Sequence, residues 1–182
     1  IIIETARKEA FVDKQTTGLM GHSVGATLCM QYVTKGKYKV NAIALYDQGI
    51  TYTESYSSQK DKTLDKILNE IWESLDKYDM PVLYSASKIN FLAMDSLIHS
   101  ERTYVEVSEL AHEDFTTNGV IGRRLQKHKS KNQDRVKRIQ ENHELLVNYS
   151  KCFFKDHLAS NDSAKITSYP ILKDDQFRVW KR

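Results

Sequence analysis

Gly21-His22-Ser23-Val24-Gly25 matches G-x-S-x-G, and the flanking residues read as a strand before it and a helix after it. In that setting the serine occupies a strained turn with its hydroxyl exposed, so the residues two positions away must be small enough to clear the adjoining strand and helix. Gly21 and Gly25 meet that need, and His22 stands inside the turn. The Val24 N–H falls at the start of the helix, where partial positive charge favours a developing oxyanion, which makes Val24 the candidate oxyanion donor. The alternative is an unreactive or phosphate-binding turn, although neither a Walker lysine nor the dinucleotide glycine spacing is present.

A serine hydroxyl needs a base, and the base needs an orienting acid. Of six histidines, His99 ends a short helical segment, while His128, His143 and His157 fall on polar or C-terminal helical stretches. His112 alone follows a core strand, in Glu109-Leu110-Ala111-His112-Glu113-Asp114-Phe115, just past the carboxyl end of Thr103 to Val107. Sites in open α/β sheets gather at that edge, which suits a general base; the plain alternative is a surface-loop histidine. No carboxylate stands among Ala86 to Asn90 after the next-to-last strand, but Asp47 directly ends an earlier one. Asp47 is the first choice for the acid and Asp95 the second, an Asp that merely begins a turn before Gly49 being the alternative for Asp47.

The elements that must hold these side chains follow from periodicity. Ile3, Ala6, Ala10 and Phe11 predict a helix over 2–13, and TTGLMGHS a short buried strand. Leu28, Cys29, Tyr32 and Val33 predict a helix from Val24 to Lys35, stopped at Gly36. Val40 to Tyr46 is a second strand, and Leu64, Ile67, Leu68, Ile71, Trp72 and Leu75 form a helical stripe after a polar loop over 50–61. Pro81 to Ser85 and Thr103 to Val107 are further strands, separated by a short helix from Phe91 to Ile98. Val136, Ile139, Leu146, Tyr149 and Phe153 share one side of a long helix over 132–157; a polar loop over 159–169 follows, and 170–182 is a docking strand or tail. The alternation implies an α/β fold: a mostly parallel sheet with helices on both faces, joined by right-handed crossovers.

Composition narrows the function classes. Lys and Arg number 27 and Asp and Glu 24, a net charge of +3 that demands no polyanionic partner. Arg123, Arg124, Lys127, Lys129, Lys131, Arg135, Lys137 and Arg138 form a basic run without interleaved aromatics, so it reads as a solvated helical face rather than a nucleic-acid site. Cys29 and Cys152 are the only cysteines, too few for a disulfide framework or a four-thiolate zinc site, and Cys29 reads as a small buried apolar side chain. No apolar run reaches the roughly 20 residues that span a bilayer, and no address names a compartment.

With Ser23, Asp47 and His112 in that order, the chain resembles the α/β-hydrolase superfamily from the strand before the elbow to the long C-terminal helix. An acid after the strand that follows the elbow helix, together with His112-Glu113-Asp114-Phe115, resembles the platelet-activating-factor acetylhydrolase and dienelactone hydrolase-like group. The resemblance implies a serine ester hydrolase working through an acyl-enzyme on a small-molecule or lipid ester, with no metal or organic cofactor. It implies a hydrolase core over 1–158 with a lid-like insertion at about 50–80, where Tyr46, Tyr52, Tyr56 and Trp72 could roof a pocket, and a loop and tail over 159–182 packing on that core. Superfamily members carry several strands ahead of the elbow, and a loop there supplies the second oxyanion N–H. The chain is therefore expected to be the C-terminal part of a longer hydrolase with its N-terminal strands missing. A non-catalytic hydrolase-like binding domain with an incomplete oxyanion hole is the second hypothesis.

Overall fold

A computed structural model describes residues 2–10, 12–47, 62–89, 94–126, 133–159 and 177–182. Its frame is a five-stranded sheet in the order β1-β2-β3-β4-β5: Gly18–His22, Ala42–Tyr46, Val82–Ala86, Arg102–Val107 and Phe177–Lys181. The first four strands are parallel, and β5 pairs antiparallel with β4, Val105 opposite Val179. Residues 177–181 of the C-terminal segment are thus a docked strand.

Every residue of β2 and β3 is buried, as expected of central parallel strands covered on both faces. Strand alternation sends Ile43, Leu45, Val82 and Tyr84 to one face, where Ala26 and Met30 of helix α2 (Val24–Lys35) and Ile71 of α3 (Lys62–Trp72) meet them. Ala42, Ala44 and Tyr46 point to the other, where Ile139, Leu146, Tyr149 and Phe153 of the long helix α5 (Gln133–Leu158) cover them. The small Ala42 and Ala44 side chains let α5 lie close to β2. The expected α/β architecture, mostly parallel with helices on both faces, is therefore present.

Polar ties join the layers. Tyr78 Oη donates to Met30 O at 2.9 Å and lies 3.1 Å from Thr34 Oγ1, locking the chain after α3 to the end of α2; burial pushes this phenol up to about 12. On the opposite face Tyr46 Oη donates to Ser150 Oγ, which donates to Leu146 O at 2.8 Å. That chain fixes the carboxyl end of β2 to α5.

Some boundaries depart from the periodicity. The helix expected over 2–13 is only α1, Ile2–Ala6. Beyond it Asp13 accepts from the Gln15 N–H at 2.8 Å and from Thr16 Oγ1, and the Arg7 guanidinium reaches back to Lys14 O; such local bonds compete with a helix. The stripe expected to run to Leu75 stops at Trp72, a 3₁₀ turn over Leu75–Lys77 following. Of the segment expected as an insertion, residues 62–77 connect β2 to β3 with Leu68 and Ile71 buried, whereas 50–61, Tyr52 and Tyr56 included, lie outside the described residues. Of the short helix expected from Phe91 to Ile98, residues 95–98 are turn or irregular backbone, and 91–93 lie outside the described residues. So do Lys127, Lys129 and Lys131 of the basic run and residues 160–176. Within that run Arg123 pairs with Asp114 and Arg138 with Glu109. No helix among the described residues is long and apolar enough to cross a membrane.

Candidate active site

β1 delivers Ser23 to the carboxyl edge of the sheet. Its backbone stands at φ 55°, ψ −126°, in the left-handed half of the map, a conformation that costs a non-glycine residue about 1–3 kcal/mol. The Ser23 N–H donates to Tyr46 O at 3.0 Å, holding the turn against the end of β2. Although Ser23 is the residue before α2, its hydroxyl makes no capping hydrogen bond. Val24 is the first residue of α2, and the opening N–H groups of a helix have no internal acceptor.

The two elbow glycines are not equivalent. A Cβ built at Gly21 would stand 2.4 Å from the Gly25 carbonyl carbon and oxygen and 2.6 Å from Ala26 N, so only glycine lets β1 pass the start of α2. A Cβ at Gly25 would meet nothing within 4 Å, which corrects the expectation that both must be small. The reason is position: β1, expected as a buried strand, is the outermost strand of the described sheet with none of its residues buried and Met20 60 % exposed, and no described neighbour packs over Gly25. Gly25→Ala is accordingly expected to leave the thermal midpoint unchanged or to raise stability by up to about 1 kcal/mol through helix propensity, while Gly21→Ala lowers it sharply, both read by thermal unfolding.

Asp47 follows Tyr46 at once, also at positive φ, 44°, which Asp tolerates better than most residues. Its N–H donates to Ser85 O at 2.6 Å, so the turn after β2 is tied to β3. His112 opens a 3₁₀ turn, His112–Phe115, that follows β4. His112 Nδ1 lies 2.7 Å from Asp47 Oδ2. A carboxylate can only accept, so Nδ1 carries the proton and Nε2 is left as the basic nitrogen. The turn has its own supports: fully buried Asp114 accepts from the Ala111 N–H at 3.0 Å and pairs with Arg123, and His143 Nδ1 lies 3.0 Å from Asp114 O. Arg123 belongs to helix α4, Thr117–Gln126.

Of the residues singled out from sequence, Ser23 with Val24, Asp47 and His112 come from three chain segments to one sheet edge. Asp95, the second candidate acid, does not join them. It accepts from Tyr104 Oη at 2.8 Å and pairs with Arg102 and Arg182 beside the amino end of β4.

Two contacts escaped sequence reasoning. The His22 ring packs on His112, centroids 4.4 Å apart, and stacks on Phe115 at 6.4 Å. The signal was the strand period, which puts Met20 and His22 on the same side of the sheet as Ala44 and Tyr46. Burial first, then the nearby His112, lowers the His22 pKa, with a hydrogen bond to the His112 backbone and the Asp47 and Glu113 charges opposing. Tyr84 is pushed up, by burial and then by the Asp47 charge. A groove of about 1190 Å³ opens beside the elbow, lined by Met20, His22, Tyr46, Phe115, Phe154 and Leu158 among others.

Donor atoms of His22, Asp47 and His112 all lie within 4.8 Å of one another, so a metal centre must be weighed. Two donors on one tetrahedral zinc, each about 2.0–2.1 Å from it, stand roughly 3.3 Å apart. The 2.7 Å between His112 Nδ1 and Asp47 Oδ2 is instead a hydrogen-bond distance.

No family model, curated protein or solved structure matches this chain.

Proposed function

We propose that the chain is a serine ester hydrolase of the α/β-hydrolase kind, with Ser23 as nucleophile, His112 as general base and Asp47 as the acid that orients it. The observation that carries the reading is the 2.7 Å contact between His112 Nδ1 and Asp47 Oδ2, made at the sheet edge where the strained Ser23 turn ends β1. The resemblance to the platelet-activating-factor acetylhydrolase and dienelactone hydrolase-like group rests on the elbow, the position of Asp47 and the His112-Glu113-Asp114-Phe115 sequence.

The chemistry follows the triad logic. His112 Nε2 takes the proton of the Ser23 hydroxyl as its oxygen attacks the ester carbonyl. The Nδ1–H···Asp47 bond holds the tautomer and stabilises the imidazolium that forms. The Val24 N–H donates to the oxyanion of the tetrahedral intermediate, whose collapse expels the alcohol, protonated by His112. Water activated by the same imidazole then hydrolyses the acyl-enzyme. The apolar groove beside His22 supports an ester with an apolar acyl or alkyl part.

The test is turnover of short p-nitrophenyl esters. Cleavage that persists in EDTA is expected, since every proposed role belongs to a side chain or a backbone N–H of the chain itself. Activity that EDTA abolishes and zinc restores would move the reading to a metal centre on His22, Asp47 and His112. Absence of turnover and of labelling by a serine-directed probe would favour a binding domain.

A further inference from the structure

We infer that His22 is a positioning residue for the His112 imidazole, its ring forming the wall that holds His112 in the plane from which Nε2 can serve Ser23. The inference rests on the triad reading above and adds a fourth side chain to it.

The hydrogen bond to Asp47 restrains one atom of the His112 ring, Nδ1, and leaves the ring free to rock about that contact. His112 is also poorly enclosed, its side chain 47 % exposed, so surrounding packing cannot be assumed to stop that motion. The His22 ring supplies the missing restraint: it lies against His112 at 4.4 Å between centroids, tilted by 42°, and is itself backed by Phe115, nearly parallel at 12°. Phe115 is buried, and it closes the same 3₁₀ turn that begins with His112. The backing of the wall and the ring it holds therefore belong to one short element. His22 in turn is fixed by β1, where it pairs with Tyr46, one residue before Asp47 and one residue after which Ser23 follows.

The chemistry of the wall suits the task. During turnover His112 carries a positive charge, and a second imidazolium at this distance would oppose it. Burial and the neighbourhood of His112 lower the His22 pKa, so His22 meets the charged ring as a neutral aromatic face. Its Nε2 is buried without a hydrogen-bond partner among the described residues, while the ring also has a hydrogen-bonding interaction with the His112 backbone, which His22→Phe removes while the flat face survives.

The experiment compares His22→Ala, His22→Met and His22→Phe in the full chain by steady-state cleavage of a p-nitrophenyl ester, with thermal unfolding run on each. Loss of orientation at a reacting group costs up to about a hundredfold in rate, so His22→Ala is expected to lower kcat by about 10- to 100-fold with KM nearly unchanged. His22→Met keeps volume without a flat ring and is expected to show a comparable loss if the alanine variant does not fold. His22→Phe restores the flat wall and is expected to recover kcat to within about threefold of wild type. Wild-type kcat in the alanine or methionine variant, a loss confined to KM, or a phenylalanine variant no faster than alanine would each overturn the inference while leaving the triad in place. A wild-type chain that turns over no ester removes the triad reading itself.

Discussion

His112→Ala is expected to lower kcat for ester cleavage by about 10⁴- to 10⁶-fold while KM changes little, read by steady-state kinetics against a wild-type control. The size follows from the division of labour. In the proposed triad the imidazole is what removes the Ser23 proton as the carbonyl is attacked, and loss of the nucleophile or base of such a unit costs nearly as much as losing the whole unit. On the proposed mechanism binding is spared, because His112 would touch the reacting atoms and not the remote parts of an ester. The variant also separates His112 from the other histidines: His143 lies under the same turn with Nδ1 near Asp114 O, and its replacement removes a support of the turn but no base. A His112→Ala protein that retains even a tenth of wild-type turnover would mean that another group deprotonates the serine.

The second large effect belongs to the proposed acid. Asp47→Asn is expected to lower kcat by about 10⁴-fold with the fold intact, because Asn fits the positive φ of position 47 but can present an N–H to Nδ1 and so favours the wrong imidazole tautomer. Asp95→Asn is the paired control. Asp95 bonds Tyr104, Arg102 and Arg182 beside the amino end of β4, away from His112, so its replacement is expected to leave kcat within a few-fold of wild type and to cost stability instead. Reversal of the two results would transfer the orienting role to Asp95.

The parts of this site that could be read in advance are those with a strong local signal. α2 begins and ends where its apolar spacing puts it, because the Ser23 turn and Gly36 punctuate it at either side. β2 was legible as an unbroken apolar run and α5 as a stripe, since burial on two faces and on one face leave different patterns. The Asp47–His112 contact was legible only as an inference from strand order, because both residues stand at carboxyl ends of parallel strands.

What the pattern hid has physical causes. α4 carries Gly119 and Gly122, each a poor helix former, so Thr117–Gln126 did not announce itself as a helix. It forms because a cap and a tertiary contact override propensity: Thr116 Oγ1 accepts from the Gly119 N–H at 3.3 Å and Arg123 pairs with buried Asp114, while glycine is needed at 119 because a Cβ there would lie 2.0 Å from Glu113 O. Asp114, whose partners come from two other elements, could not be told from a surface acid by sequence alone. The difference between Gly21 and Gly25 was equally hidden, because it depends on which side of β1 is covered.

The most direct measurement is the site of covalent modification. A fluorophosphonate is incubated with the chain, and the adduct is located by mass spectrometry of the digested protein. The expected result is one adduct, on Ser23, formed at least 10³-fold more slowly in His112→Ala. A wild-type chain left unmodified at Ser23, or an adduct on Ser23 that forms as fast without His112, would contradict an activated serine at this turn.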